Sequence, residues 1–154
     1  MHRLRRYVLV VVAAGTLVGG LMASSIPASA KKTPAPKLKV TPKSKLTNGS
    51  AVQVSGTHFT AGDQVFIVEC VIGETSTTGS GCDTNNVVGP ETVSTKGTWG
   101  PATFHVVTGA VGTQGGTCGT TKANAKACAV SAGDAAGNDG AQEKVVFTVP
   151  KTTK

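Results

Sequence analysis

The stretch AVQVSGTHFTAGDQVFIVECVI, residues 51–72, contains the pattern that decides the fold class. In its first part Val52 and Val54 alternate with polar residues, which is typical of a strand with one buried face. The turn-forming residues TAGD at 60–63 follow, and the run QVFIVECVI at 64–72 is long and rich in β-branched residues. Such a run predicts a central strand whose two faces are both partly covered.

Short β-branched runs recur along the rest of the chain, in NVVGPETVS, TFHVV, CAVS and KVVFTV. Turn signals such as TNGS, STKGTWG, GTQGG and DAAGNDG lie between them, and helix-forming stretches are almost absent. About seven short strands with frequent turns predict an all-β, seven-stranded antiparallel sandwich of immunoglobulin type. We expect its core to include Val52, Val54, Val65, Ile67, Val106, Val145 and Phe147.

Four cysteines flank two polar loops, ECVIGETSTTGSGCD and TCGTTKANAKACAV; they are Cys70, Cys82, Cys118 and Cys128. In an oxidising compartment four cysteines predict two disulfides rather than free thiols. Three pairings satisfy this count, and proximity in the sequence favours Cys70–Cys82 with Cys118–Cys128. Neither spacing is C-x-x-C, and no histidine lies near a cysteine in the sequence, so a zinc site and a redox dithiol are both disfavoured.

The first thirty residues predict that oxidising compartment. MHRLRRY is basic, the run at 8–23 is apolar, and Ala28-Ser29-Ala30 is a small-residue cleavage site. This layout is typical of a secretory signal peptide, residues 1–30, cleaved after Ala30. An uncleaved membrane anchor is the alternative, although glycines interrupt the apolar run. We expect a secreted protein with no stable membrane insertion.

The net charge of +7 lies mainly at the ends of the chain. Residues 31–37 are rich in lysine and proline and predict a flexible stem, 38–150 form the predicted domain, and 151–154 are a tail. Residues 40–150 contain six lysines and eight carboxylates. Because a nucleic-acid binder needs a basic face on the domain itself, we expect no direct DNA binding. The basic ends are expected to aid solubility or to contact an anionic cell surface, and we expect a monomer.

The histidines and the single tryptophan do not form a catalytic motif. His58 lies beside a turn and His105 follows a strand residue, with no GxSxG context for a nucleophile, so we expect no enzyme activity. Trp99 lies in the turn-like KGTWGPA and is expected to plug one end of the sandwich; a ligand-facing aromatic is the alternative.

The carboxylates are interpreted as structural or solvated charges. Glu69, Glu74 and Asp83 lie near the first cysteine pair, where solvated loop charge is favoured over a general acid–base pair. Asp134 and Asp139 flank AAGN, and short acidic residues commonly set such turns, which is favoured over a calcium site.

The order of these motifs resembles the neocarzinostatin family. The resemblance runs from VTPKSKLTNGSAVQVSGTHFTAGDQVFIVEC through GCD, GTC and CAVSAGDAAGNDG to a final VVFTV, and covers roughly residues 38–149. Its most specific parts are the two local cysteine pairs and the DAAGN turn before the last strand. It implies a seven-stranded immunoglobulin-like sandwich with two short-range disulfides, in agreement with the pattern-based prediction.

The resemblance implies a carrier. Members of the family are apoproteins that hold an enediyne-type chromophore non-covalently in an apolar cleft between the sandwich and a hairpin lobe, and they act as antibiotics that damage DNA through the ligand alone. We expect no metal and no other cofactor. The ligand-binding residues that the resemblance implies are Cys70, Ile72, Cys82, Val87 and Gly119. The first disulfide forms part of the cleft floor, while Ile72 and Val87 stand where family members have aromatic residues.

A second functional class stays open beside the carrier. It is an extracellular immunoglobulin-like binding or surface module with no chromophore. The hairpin segment TGAVGTQ contains no aromatic residue, which separates this chain from the pattern of chromophore-binding members.

Overall fold

A computed structural model describes residues 33–74, 80–113 and 116–149. Within these residues the chain forms nine β-strands and no helix, and so no helix that could span a membrane. The strands are β1 (Lys37–Thr41), β2 (Ala51–Thr57), β3 (Gln64–Val71), β4 (Cys82–Thr92), β5 (Thr98–His105), β6 (Gly109–Val111), β7 (Gly116–Cys118), β8 (Cys128–Asp134) and β9 (Gly140–Lys144). The predicted signal peptide, residues 1–30, and the tail at 151–154 lie outside the described residues.

Seven of the described strands form a sandwich, and the other two form a hairpin. One sheet has the order β1-β2-β5, the other has the order β4-β3-β8-β9, and β6 pairs only with β7. All the strand pairs are antiparallel. The predicted seven-stranded antiparallel sandwich is therefore confirmed, with the β6–β7 hairpin as an addition to it.

The core lies between the two sheets and contains all seven predicted core residues. Val52 and Val54 of β2 belong to the same buried cluster as Val65 and Ile67 of β3, and none of these four is more than 1% exposed. The burial of each such side chain contributes about 1.5–3 kcal/mol before the entropy of folding is subtracted. The alternating pattern therefore identified the inner faces of both strands.

The last strand begins earlier than the sequence pattern predicts. The apolar run KVVFTV predicts a strand at 144–149, but β9 spans Gly140–Lys144. In the run itself, the Val145 N–H donates to the carbonyl of Cys128, and the Phe147 N–H donates to the carbonyl of Ala125 (3.1 and 2.9 Å). This segment thus closes the core through separate backbone contacts, to the start of β8, to Ala125 and to Leu46, rather than as a continuous strand.

Trp99 plugs the core, as predicted. Its side chain is only 4% exposed and meets the ring of Phe59 edge-on, with 5.7 Å between the ring centroids. The indole also lies over Gly56, where a Cβ atom would come within 2.1 Å of Nε1. Trp99 therefore lies within the core and is not a ligand-facing aromatic.

Candidate functional site

Both predicted disulfides are present. Cys70 is bonded to Cys82 and Cys118 to Cys128, with Cα–Cα distances of 4.0 and 5.7 Å. All four cysteines are therefore oxidised. The bridges are local, so they shape the ends of strands and the loops between them rather than joining the two sheets.

The outer face of the four-stranded sheet carries an apolar surface. Val68 of β3 pairs with Val87 of β4, and two residues further on Cys70 pairs with Cys82 of β4 and with Ala129 of β8. Because side chains alternate along a strand, these residues point away from the core formed by the neighbouring positions of β3. Val68 and the first disulfide form an apolar cluster separate from the main core.

A hollow of about 230 Å³ opens at one end of this face. It is lined by Phe66, Val68, Thr84, Val87, Gly133, Asp134 and Ala135. Val87 is 46% exposed, which is unusual for a large apolar side chain in this domain. The lining is mainly apolar with one aromatic ring, so the hollow suits the burial of a small apolar group.

The other end of the outer face is closed by the loop after β3. The Gly73 N–H approaches Oε1 of Gln142 on β9 (3.4 Å), which brings the loop across the sheet. The β6–β7 hairpin packs on the same end, where the Thr113 N–H donates to the carbonyl of Ser80 (2.9 Å). None of the described hairpin residues lines the hollow. The described hairpin and the hollow therefore lie at opposite ends of the outer face, and the first disulfide, which the resemblance places in the cleft floor, is buried at the hairpin end.

The structure brings three of the five predicted site residues together. Val87 lines the hollow, and the Cys70–Cys82 disulfide packs against Val68 at its inner margin. Ile72 lies beyond the end of β3, where its N–H donates to the carbonyl of Ala127 (2.9 Å), and it does not line the hollow. Ligand contacts of these residues remain predictions.

Gly119 lies in a different place from the other predicted site residues. It is buried with φ of +64°, and a Cβ atom there would come within 2.6 Å of the Phe147 ring and 2.8 Å of Thr108. Only a residue without a side chain fits this close approach. Gly119 therefore supports the core beneath the second disulfide and does not line the hollow.

Sequence reasoning missed Phe66 and Val68 as lining residues. Both lie in the apolar run of β3, where residues pointing inward and outward are equally hydrophobic. Period-two alternation relative to the buried Val65 and Ile67 is the signal that places them on the outer face.

Glu69 is the largest departure from the sequence-based interpretation. The prediction that Glu69 is a solvated loop charge is wrong, because its side chain is completely buried on the inner face of β3. One carboxylate oxygen accepts the Val107 N–H at 2.8 Å, and the other has no hydrogen-bond partner among the residues that the structure describes. Burial raises the pKa of Glu69 to about 7; the Val107 hydrogen bond lowers it in part, and the charge of Asp83 raises it further.

Glu69 does not form a metal site with its sulfur neighbours. Its carboxylate and the sulfur atoms of Cys118 and Cys128 lie within 4.8 Å of one another. Those two sulfurs are bonded to each other, so they offer no thiolate to an ion. The cluster is a buried acid packed beside a disulfide.

Asp134 sets the turn before β9, as predicted. Its carboxylate accepts the Asp139 N–H at 2.9 Å and the Asn138 amide at 3.3 Å. Burial alone would raise the pKa of Asp134, but these hydrogen bonds outweigh it and lower the pKa. The anionic group that borders the hollow is thus engaged in holding the turn.

Comparisons with known proteins agree with this architecture. The model of the neocarzinostatin family matches residues 38–147. Among solved structures, macromomycin is similar at 31% identity and a TM-score of 0.51, with 74% of this chain and 100% of that chain covered. The solution structure of apokedarcidin is similar at 22% identity and a TM-score of 0.44, with 74% and 98% covered. A search of curated protein sequences gave no match.

Proposed function

The chain belongs to the neocarzinostatin family, and we propose that it is a secreted apoprotein that carries a small apolar ligand. The observation that supports this proposal most directly is the apolar hollow on the outer face of the four-stranded sheet, where Val87 is left exposed. A concave apolar surface removes a ligand from water and shields it from reaction with solvent. The ligand class that the family resemblance implies is an enediyne-type chromophore.

Each wall of the hollow has a distinct role in this proposal. Phe66 offers a ring face to the ligand, Val68 and Val87 offer apolar contact, and Gly133 leaves room because it has no side chain. The Cys70–Cys82 disulfide holds the start of β4 against the end of β3 and so keeps the inner margin of the hollow rigid. Antibacterial action and any effect on DNA would come from the ligand, and the protein itself would act as a monomeric, non-catalytic carrier.

The small size of the hollow favours the second functional class, a surface module without a chromophore. Its volume of about 230 Å³ lies below the range of about 300–1,000 Å³ that is usual for small-molecule sites. The closed disulfide end also removes surface that a large chromophore would need. A surface module without a chromophore is therefore the second candidate, and a binding experiment separates the two.

The test is a titration of the purified secreted protein with prodan, an uncharged naphthalene dye whose emission rises in apolar surroundings. We expect saturable binding that Val87→Asp weakens at least tenfold, because the substitution places a charge in the hollow. Thr103→Asp is the matched control, since Thr103 is exposed on the other sheet. Trp99 emission should stay constant in the titration, because the indole lies in the core.

Two results would contradict the carrier. The first is the absence of saturable prodan binding by the wild-type protein, which would leave the surface module as the better description. The second is an equal loss of binding in both variants, which would show that the dye does not use the hollow. Circular dichroism of each variant confirms that the sandwich is intact.

A further inference from the structure

The charges of the described residues are segregated toward one side of the domain. The edge strands β1 and β9 of the two sheets contact each other, and Val146, just after β9, exchanges backbone hydrogen bonds with Lys43 and Leu46. We call this side the β1–β9 seam. Its charged residues are Lys37, Lys39, Lys43, Lys45, Glu143 and Lys144.

The seam is basic, whereas the rest of the described domain is acidic. The seam has five lysines and one carboxylate, and the other described residues have three lysines and, leaving out the buried Glu69 and Asp134, five carboxylates. All five seam lysines are exposed. Such a separation concentrates positive potential on one surface. A polyanion is therefore attracted to the seam and repelled by the remaining surface.

Most of this positive charge is not neutralised within the domain. Lys43 pairs with Glu143 at 2.5 Å. No ion pair joins Lys37, Lys39 or Lys45 to a carboxylate among residues 33–74, 80–113 and 116–149. Lys37 and Lys39 point to the same side of β1 and lie about 7 Å apart along the strand. They form a row of repeated positive charges.

The seam is also concave. A groove of about 370 Å³ lies beside Lys39, Pro42 and Lys43, and a second of about 430 Å³ lies beside Lys43 and Lys144. The Lys43–Glu143 pair borders both grooves. Lysines on an edge strand also prevent pairing with other edges, but that role requires no groove. The two adjoining grooves provide a path along which a linear chain can lie.

We propose that the β1–β9 seam binds a linear polymer of the cell envelope that carries phosphodiesters along a polyol backbone. Lysine supplies point charges, which suit a polymer whose phosphate groups repeat regularly and that has no base sequence to be recognised. The seam has no arginine for bidentate contacts. It has no aromatic side chain on which a base could stack. A narrow row of lysines also suits a single polymer chain, whereas a nucleic-acid double helix requires a broad basic face. These features favour the envelope polymer over a nucleic acid.

The sequence contains two further lysines before β1. Lys31 and Lys32 precede β1 in the chain and continue the series of lysines without an intervening carboxylate. Binding at the seam would retain the secreted protein near cell surfaces. The hollow at Val87 lies beside β4, at the opposite edge of the four-stranded sheet from β9, and shares no lining residue with the two grooves, so this inference does not depend on the proposed carrier function.

The experiment measures binding of the full secreted protein to poly(glycerol phosphate) by calorimetry at two salt concentrations. We expect the triple variant Lys37→Gln, Lys39→Gln, Lys45→Gln to lose at least about tenfold in affinity, with a slope of log K against log salt smaller by about 2. The matched control removes the same charge elsewhere, with glutamine replacing Lys96, Lys122 and Lys126. The control should bind almost as tightly as the wild-type protein.

Three outcomes would overturn the proposal: no binding by the wild-type protein at physiological salt, equal losses in both triple variants, or tighter binding of single-stranded DNA at the same phosphate concentration. Equal losses would indicate a response to net charge alone, and preference for DNA would indicate a nucleic-acid partner. Prodan binding should be unchanged in the seam variant, so failure here is distinguishable from failure of the carrier function.

Discussion

Replacing Glu69 with glutamine is expected to remove most of the pH dependence of the free energy of unfolding between pH 5 and pH 8. The Glu69 carboxyl is fully buried, with the Val107 N–H as its hydrogen-bond donor. Burial raises its pKa from 4.5 to about 7, with a further contribution from the charge of Asp83. Glutamine keeps an oxygen for the Val107 N–H but has no proton to release.

The sign and the size of the effect follow from the two pKa values. The unfolded chain releases the Glu69 proton near pH 4.5, whereas the folded protein keeps it until about pH 7. Between these values the unfolded state binds fewer protons, so the free energy of unfolding falls as the pH rises, by about 1.4 kcal/mol per pH unit. From pH 5 to pH 8 the folded protein would lose about 2–3 kcal/mol through this group alone. The contribution of Glu69 to the free energy of unfolding is fully present below pH 4.5.

The assay is urea denaturation at four pH values between 5 and 8, followed by the emission of Trp99. The buried indole makes this emission a reporter of the sandwich. Glu91→Gln is the matched control, because it makes the same chemical change at a partly exposed position of β4. If the wild-type protein and Glu69→Gln show the same dependence on pH, burial of Glu69 does not control it and the reasoning is refuted. The reasoning is also refuted if Glu91→Gln reduces the pH dependence of the free energy of unfolding as much as Glu69→Gln does.

Two further predictions concern the core and the first disulfide. Gly119→Ala should lower the free energy of unfolding by about 2–4 kcal/mol, because a Cβ atom at φ of +64° collides with Phe147. Gly62→Ala, at φ of +87° with nothing within 4 Å, should cost only about 1 kcal/mol; equal losses in urea denaturation would mean that the contact is unimportant. Replacing Cys70 and Cys82 together by serine should cost on the order of 3 kcal/mol and weaken prodan binding in the protein that remains folded. Unchanged binding would mean that the disulfide does not shape the hollow.

Part of the candidate site was predictable because the information for it is local. The cysteine pairs are separated by 12 and 10 residues, so proximity along the chain already favoured the observed pairing. Val87, which the resemblance implied as a ligand contact, lines the hollow, and its contact with a ligand stays a prediction. Gly119 lies away from the hollow, because it packs against Phe147, which follows it in a later segment and meets it only in the folded core.

The sequence by itself determined the class of fold, since period-two alternation and turn residues act over a few neighbouring positions. Proximity along the chain also favoured the observed pair of disulfides among three possible pairings. Only the tertiary structure decided what each face of β3 does. In the run QVFIVECV both faces are hydrophobic, and the pairing with β4 and β8 turns Phe66 and Val68 outward and Glu69 inward. Alternation from Val65 and Ile67 indicates which way these side chains point. How deeply a carboxyl is buried and whether a hollow opens depend on contacts between distant segments, which alternation does not encode.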